Sequence, residues 1–492
     1  MPQASPLAAA LVAAIVAVAC SYSPTGSPTT DGPPASDAAA SSDGSPLSDG
    51  ASATDGGPAV DASLPGCTAD DDCGAGRGCL AGTCRDECLL GLFCEGASSG
   101  SVCRAGLCVQ CAGDGDCRGG RERCDVASAT CVPRPFDPGV TKFGIFYSTW
   151  HCRAANSQPV RDISRVLAGE QTWHPDYQTF YYWDEPAGGY YCPSADDARL
   201  RRHAELLRDA GIDFVFLDAT NHAHVGAGSD DTPGMILRPL DRLLAVWSTI
   251  PGAPRVVPWV PVVAATADAS RYTVDAMLAR LAAYPGMQLP YLGKPLLLVT
   301  ENAQYPVNAQ RAAALAADYT VRRMWAMYPE DGAPWSFLQG CQASPTSAEP
   351  CAQRVARTGG AIEQIAVSAA YQQTYMSIPS ATPKHRGLTF RKQFELAFTW
   401  PETPIVTITG WNEWIVQRQR CGQHPSCPCA TYPDGCFLDQ WTVEHSRDIE
   451  PGANEMGTYY YDLMRACIAL FRAGGECDAA HATDPCCRAW AP

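Results

Sequence analysis

Four residues, Trp411-Asn412-Glu413-Trp414, have the composition of a catalytic turn, and an apolar, β-branched run, Pro404-Ile405-Val406-Thr407-Ile408-Thr409-Gly410, delivers them at its end. A carboxylate between two indoles suits sugar chemistry: the rings offer flat apolar faces to pyranoses, and their low polarity raises the proton affinity of the acid. Glu413 is therefore the first candidate for an acid/base residue, with Trp411, Asn412 and Trp414 as substrate contacts. The same residues would also serve as a cap on a buried strand, with Glu413 satisfied by backbone donors.

Other chemistry-bearing residues recur at the ends of apolar runs. Asp218 closes Ile212-Asp-Phe-Val-Phe-Leu-Asp218 and is followed by Asn221 and His222; it is suited to orienting a sugar hydroxyl or pairing with a neighbouring cation. Trp150 and His151 end the run from Lys142. Trp183 and Glu185 lie in the aromatic segment Tyr181-Tyr-Trp-Asp-Glu-Pro186, which is suited to stacking or to a surface loop. His385-Arg386 either meets a substrate oxygen or leads into the next helix. His151, His222 and His224 lack a metal-ligand spacing, so neither metal nor cofactor is expected.

The elements that must position these groups alternate. Strands are predicted at 142–150, 212–218, 255–263, 295–300, 321–328, 364–368 and 404–409, with helices at 196–210, 236–249, 271–284, 307–317 and 388–399. Continuous apolar strands separated by helices imply a parallel sheet covered on both faces. About eight such units in roughly 350 residues predict an α/β fold, a (β/α)8 TIM-type barrel, over an open doubly wound sheet. No glycine-rich phosphate fingerprint follows a strand. In such a barrel the strand C-termini gather Trp150 and His151, Asp218 with Asn221, Thr300 to Asn302, Tyr371 to Gln373, and Glu413 around one mouth. At least two of Trp150, Trp183, Trp411 and Trp414 are expected to line it.

A barrel that begins Gly144-Ile-Phe-Tyr-Ser-Thr-Trp-His151, continues through Ala210-Gly-Ile-Asp-Phe-Val-Phe-Leu-Asp218, and closes with Trp411-Asn-Glu-Trp414 and Asp448-Ile-Glu-Pro451 resembles the glycoside hydrolases of the endo-α-mannosidase and α-1,3-glucanase group. The resemblance covers most of residues 142–470, and its last two motifs are the specific ones. It implies a glycan-cleaving barrel, with Glu450 among the substrate contacts. In endo-α-mannosidases the motif runs Trp-Asn-Glu-Trp-x-Glu; the first Glu assists attack by the sugar's own 2-hydroxyl and the second is the acid/base. Glu413 matches the first role, whereas the second position is Val416. An enzyme would have to recruit another carboxyl group, and the Cys-rich insertion at 415–447 offers Asp439 and Glu444. Without one, the chain would bind carbohydrate on a barrel scaffold and not cleave it.

The rest of the chain sets the compartment. All twelve Trp and all nine His of the 492 residues lie beyond residue 140, so a large core belongs to the C-terminal two-thirds. A formal charge of −16 without any Lys/Arg run argues against nucleic acid as a partner. Leu7 to Ala19 reads as a signal-peptide core leading into Ala17-Val18-Ala19-Cys20, where Cys20 would be lipidated and anchor the protein at a bacterial surface or outer membrane, the alternative being ordinary secretion. Residues 20–66, nearly all small or polar, form a flexible linker. Twelve Cys between Cys67 and Cys131 fall into three repeats of four, the first two closing with Cys-x4-Cys. Segments so short need disulfides to hold them; zinc is the competing reading, but no His lies among them and the Cys-x2-Cys spacing at 108/111 bridges two modules. The modules are placed at 67–135 and the barrel at 138–492. Twelve further Cys follow; Cys152 with Cys192, tying two mouth loops, and Cys341 with Cys351 are the simplest pairs. The chain is expected to act as a monomer on a polysaccharide or glycan.

Overall fold

The computed structural model describes residues 68–73, 77–86, 102–104, 107–113, 117, 122–133, 137, 139–177, 179–226, 231–264, 272–301, 306–327, 335–338, 355–370, 384–423, 427–430, 432–437 and 442–488. The signal segment, Cys20, the linker, Asn302, Tyr371 to Gln373, Asp439 and the Cys341/Cys351 pair lie outside the described residues. Two compact units emerge: residues up to Cys117 with Cys124–Cys131, and Arg118–Arg123 with Val132 onward.

The first unit is built from hairpins and disulfides. Arg77–Leu80 pairs with Thr83–Asp86, setting Cys79 opposite Cys84, and Val102–Arg104 pairs with Leu107–Val109, setting Cys103 opposite Cys108. This shared register is the structural form of the repeat. Cys73 bonds Cys84, Cys111 bonds Cys124 and Cys117 bonds Cys131. Half-cystines dominate its few buried apolar residues among the described ones, as expected of segments too short to build an apolar core.

The second unit is a TIM-like barrel. Eight parallel strands follow one another in chain order: β1 (Lys142–Tyr147), β2 (Phe214–Asp218), β3 (Arg255–Pro261), β4 (Lys294–Thr300), β5 (Thr320–Met327), β6 (Trp335–Leu338), β7 (Ala361–Ser368) and β8 (Ile405–Thr409), with β8 pairing back onto β1. Two short strands, Pro290–Tyr291 and Ala356–Thr358, add antiparallel to β4 and β7 and make the sheet mixed. Helices follow β1 (α1, Asp197–Asp209), β2 (α2, Arg238–Trp247), β3 (α3, Thr273–Ala282), β4 (α4, Ala309–Leu315), β7 (α5, Leu388–Thr399) and β8 (α6, Tyr459–Arg472). Residues 328–334 between β5 and β6 and 339–354 between β6 and β7 lie outside the described residues.

Side-chain alternation divides the core in two. One set fills the barrel lumen, with Phe146, Phe216, Trp259 and Phe337 packed at centroid separations of 4.8–6.3 Å. The other, including Ile145, Val215, Leu217 and Val406, faces the helices. Gly144 admits the Phe214 ring: a Cβ there would lie 2.1 Å from it. α1 buries Leu200, His203, Ala204 and Leu207, the spacing of one helical face. It stops at Gly211, whose φ of 83° suits the left-handed C-terminal turn.

The seam between β6 and β7 carries no backbone ladder among the described residues. Instead the Gln364 amide donates to the Ser336 carbonyl (2.9 Å) and accepts from its N–H (3.2 Å), reproducing a ladder pair with a side chain. Beside it, Glu363 accepts from Trp335 Nε1 (3.0 Å), the Arg322 guanidinium (2.6 Å), Tyr291 and Thr358. Burial alone would raise its proton affinity, but these donors pull the carboxyl down to about 2.

Candidate active site

β8 hands the chain to Gly410 and then to the Trp-Asn-Glu-Trp turn, while residues 446–450 return alongside as a strap. Gly410 N–H donates to Arg447 O (2.9 Å), Trp411 N–H to Phe146 O (2.8 Å), and Glu450 N–H to Trp411 O (2.8 Å). Beyond the turn, Ile415–Gln419 pairs antiparallel with Phe180–Tyr182, and Trp183 N–H donates to Trp414 O (2.9 Å). Cys152–Cys192 closes the loop containing that partner strand, the pairing expected from the sequence.

Within the turn only Glu413 keeps appreciable exposure. Trp411, Asn412 and Trp414 are wholly buried. The Asn412 amide grips Ser148 through its N–H (2.8 Å) and carbonyl (3.1 Å) and donates to Tyr191 Oη (3.0 Å). Trp414 stacks on Trp183 at 4.8 Å and 12°. Three of the four indoles expected to line the mouth are thus packed beneath the turn; Trp150 is half-buried, edge-on to His222 at 5.2 Å. His151 also lies below, sharing a hydrogen bond with Asn412 O through Nε2 (2.9 Å) and stacking on Tyr191 at 4.5 Å. Burial pushes its imidazole down to about 3, so it serves as a neutral ring.

The Glu413 carboxylate, 18% exposed, accepts from Arg447 Nη2 at 2.6 Å; the guanidinium is 2% exposed. The Glu413 N–H donates to Asp448 Oδ1. Asp448 Oδ2 accepts from Trp183 Nε1 (2.7 Å) and Ser446 Oγ (3.2 Å). Burial raises the proton affinity of Asp448 and weakens that of Lys384, a fully buried amine whose field reaches it. Lys384 Nζ sits 4.2 Å from the Tyr460 ring centroid and 3.4 Å from Met456 Sδ, and its backbone N–H donates to Glu444 Oε1 (2.8 Å).

Glu450 is an anchor beneath the turn. Its oxygens accept from Arg199 (3.2 Å), His203 Nε2 (2.8 Å), Trp414 Nε1 (2.7 Å) and Tyr191 Oη (2.8 Å). Burial opposes ionisation, but His203, Arg199 and Tyr191 hold the carboxyl at about 2. His203 Nδ1 in turn meets Tyr147 Oη at 2.8 Å, so α1, β1 and the turn share one buried polar network.

The structure therefore joins Trp183, His151, Trp411 to Trp414 and Glu450 by direct contacts. Asp218 ends β2 and accepts from Thr220 N and Oγ1 (2.9 and 2.8 Å); Asn221 is exposed; Glu185 pairs with Arg165 at 3.2 Å. Val416 is buried in the strand opposite Tyr181. The sequence pattern assigns no role to Arg447 or Lys384, and names Asp448 only as the first residue of the Asp448-Ile-Glu-Pro451 motif. Arg447 immediately precedes that motif, which was the available signal for it. Lys384 offered none.

No protein-family model and no curated protein matches the chain. Among solved structures it is similar to the GH99 endo-α-mannosidase from Bacteroides thetaiotaomicron in complex with bis-tris-propane, at 12% identity and a TM-score of 0.38, covering 69% of this chain and 99% of that one. A second structure of the GH99 endo-α-mannosidase from Bacteroides thetaiotaomicron gives 11% identity and a TM-score of 0.37 over the same shares.

Proposed function

We propose that this chain is a glycoside hydrolase of a polysaccharide or glycan, exported and tethered at a bacterial surface through Cys20. One observation carries the reading: Glu413 alone in its turn retains solvent access, at the C-terminal end of a barrel strand, with its carboxylate oriented by a buried guanidinium and its backbone N–H by a buried carboxylate. A carboxylate clasped by Arg447 is suited to act as a base toward a sugar hydroxyl or water. Cleavage of the glycosidic C–O bond also requires a proton on the leaving oxygen. Val416 supplies none, and we assign that role to Glu444 or Asp439 of the insertion.

The buried packing of Val416 favours one other reading, a carbohydrate-binding barrel without turnover. Wild type and Glu413→Gln assayed against α-mannans, α-glucans and other polysaccharides separate them. Reducing ends released by wild type and lost in the variant support the hydrolase; binding by wild type with no product supports the binder.

A further inference from the structure

We propose that the Cys152–Cys192 disulfide is a positioning element for Glu413, and that opening it with an external dithiol switches the site off while the barrel stays folded. The proposal rests on the role assigned to Glu413. The two half-cystines stand 40 residues apart in the chain. Each is the immediate neighbour of a ring that holds Asn412, the residue before Glu413. His151 precedes Cys152; because the Asn412 carbonyl only accepts, the His151 Nε2 carries the proton and donates to it at 2.9 Å. Tyr191 precedes Cys192, and its Oη receives the Asn412 side-chain N–H at 3.0 Å. The two rings stack on each other at 4.5 Å and 23°. The covalent bond therefore lies directly behind a pair of rings that grip one residue by both its backbone and its side chain.

The same bond reaches the anchor beneath the turn. Tyr191 Oη donates to Glu450 at 2.8 Å, and its ring lies 4.7 Å from the Arg199 guanidinium. Just beyond Cys192, Asp196 caps α1 by accepting from the Arg199 N–H at 2.9 Å, and this helix delivers Arg199 and His203 to Glu450. Without the disulfide, bringing His151 onto Tyr191 means closing a 40-residue loop by noncovalent contacts alone, and the entropy of the open loop favours their separation. The barrel does not share this dependence, because its strand ladders and two apolar clusters form without the bond. Both half-cystines are only half-buried, so a small thiol reaches them. A reagent thiolate displaces one cysteine sulfur to give a mixed disulfide, which the reagent's second thiol resolves. The chain gains two thiols, and the dithiol is oxidised to its cyclic disulfide.

The His151 ring N–H reports this geometry whether or not any glycan is cleaved. In the ¹⁵N spectrum of the full chain, one imidazole N–H, identified by its loss in His151→Gln, should be protected from solvent exchange. In the double variant Cys152→Ala/Cys192→Ala its exchange should quicken about tenfold or more while the circular dichroism of the barrel is retained. On a substrate identified by the polysaccharide panel, the same variant should lower kcat about tenfold or more with KM nearly unchanged. Cys477→Ser/Cys487→Ser, which opens a bond beyond α6, should keep the wild-type kcat. If the first double variant does not fold, folded wild type is treated with dithiothreitol and the freed thiols are alkylated. Activity should then fall in step with alkylation of Cys152 and Cys192, read by peptide mapping, before the circular dichroism changes. A ring N–H equally protected in the double variant, or full turnover with both cysteines replaced or alkylated, overturns the proposal even if Glu413→Gln is inactive. A ring N–H that loses protection alongside a fully active Glu413→Gln overturns the role of Glu413 and leaves the brace on Asn412 standing.

Discussion

Glu413 and Glu450 show how environment assigns different work to one side-chain type. Glu450 accepts four hydrogen bonds and is sealed; Glu413 accepts from Arg447 and is partly open. Glu413→Gln should therefore lower turnover by at least about 10² while leaving the melting temperature nearly unchanged. Glu450→Gln should instead lower stability, since an amide presents a donor to groups that are already donors. Two groups beneath the turn contribute to the pH response. Glu450 has its carboxyl depressed to about 2, so its contribution to stability is complete above the ordinary carboxylate range and is lost as pH falls toward 2. His151 is depressed to about 3 from 6.5: below 6.5 the unfolded chain takes up a proton that the folded one refuses, and stability falls with pH until about 3. Urea midpoints measured between these limits should decline with acidification, and His151→Gln should flatten the upper part of the decline.

At the scale of elements, the sequence was most informative where one segment decides its own structure. The helix at 388–399 and the strand ending at Asp218 are read from apolar periodicity and end where the sequence places them. β6 was not legible: Trp335–Leu338 is four residues long, and its pairing is completed by an amide from β7. The site divides the same way. Glu413 is visible as an acid at a strand end, whereas its holders Arg447 and Asp448 lie beyond a long insertion, and Lys384 is brought in from a different crossover. Contacts that arise only on closure of the barrel leave no local pattern. The β6–β7 seam is directly testable. Gln364→Leu would leave the buried N–H and carbonyl of Ser336 without their side-chain partner, each costing about 1–3 kcal/mol. Calorimetry should show a lowered melting temperature, with loss of amide-exchange protection concentrated in β6 and β7.

For the whole molecule, the two units should respond differently to reduction. The hairpin modules bury mainly half-cystines, whereas the barrel has a double apolar core. Under a thiol reductant, proteolysis should cut residues 68–131 while a fragment beginning near Val132 persists; simultaneous loss of both would contradict independent cores. Among the described residues no helix is long and apolar enough to cross a membrane.

The Cys152–Cys192 bond has a consequence for how the site diversifies. The chain between these half-cystines carries the strand Phe180–Tyr182 that flanks the segment after Glu413. Both ends are pinned, and Trp183 and Tyr191 inside the interval are fixed by their contacts with the turn; the stretch resembles a clipped frame in which only the remaining exposed positions can vary without disturbing Glu413. A library confined to those positions is the economical route to changing what the proposed site accepts.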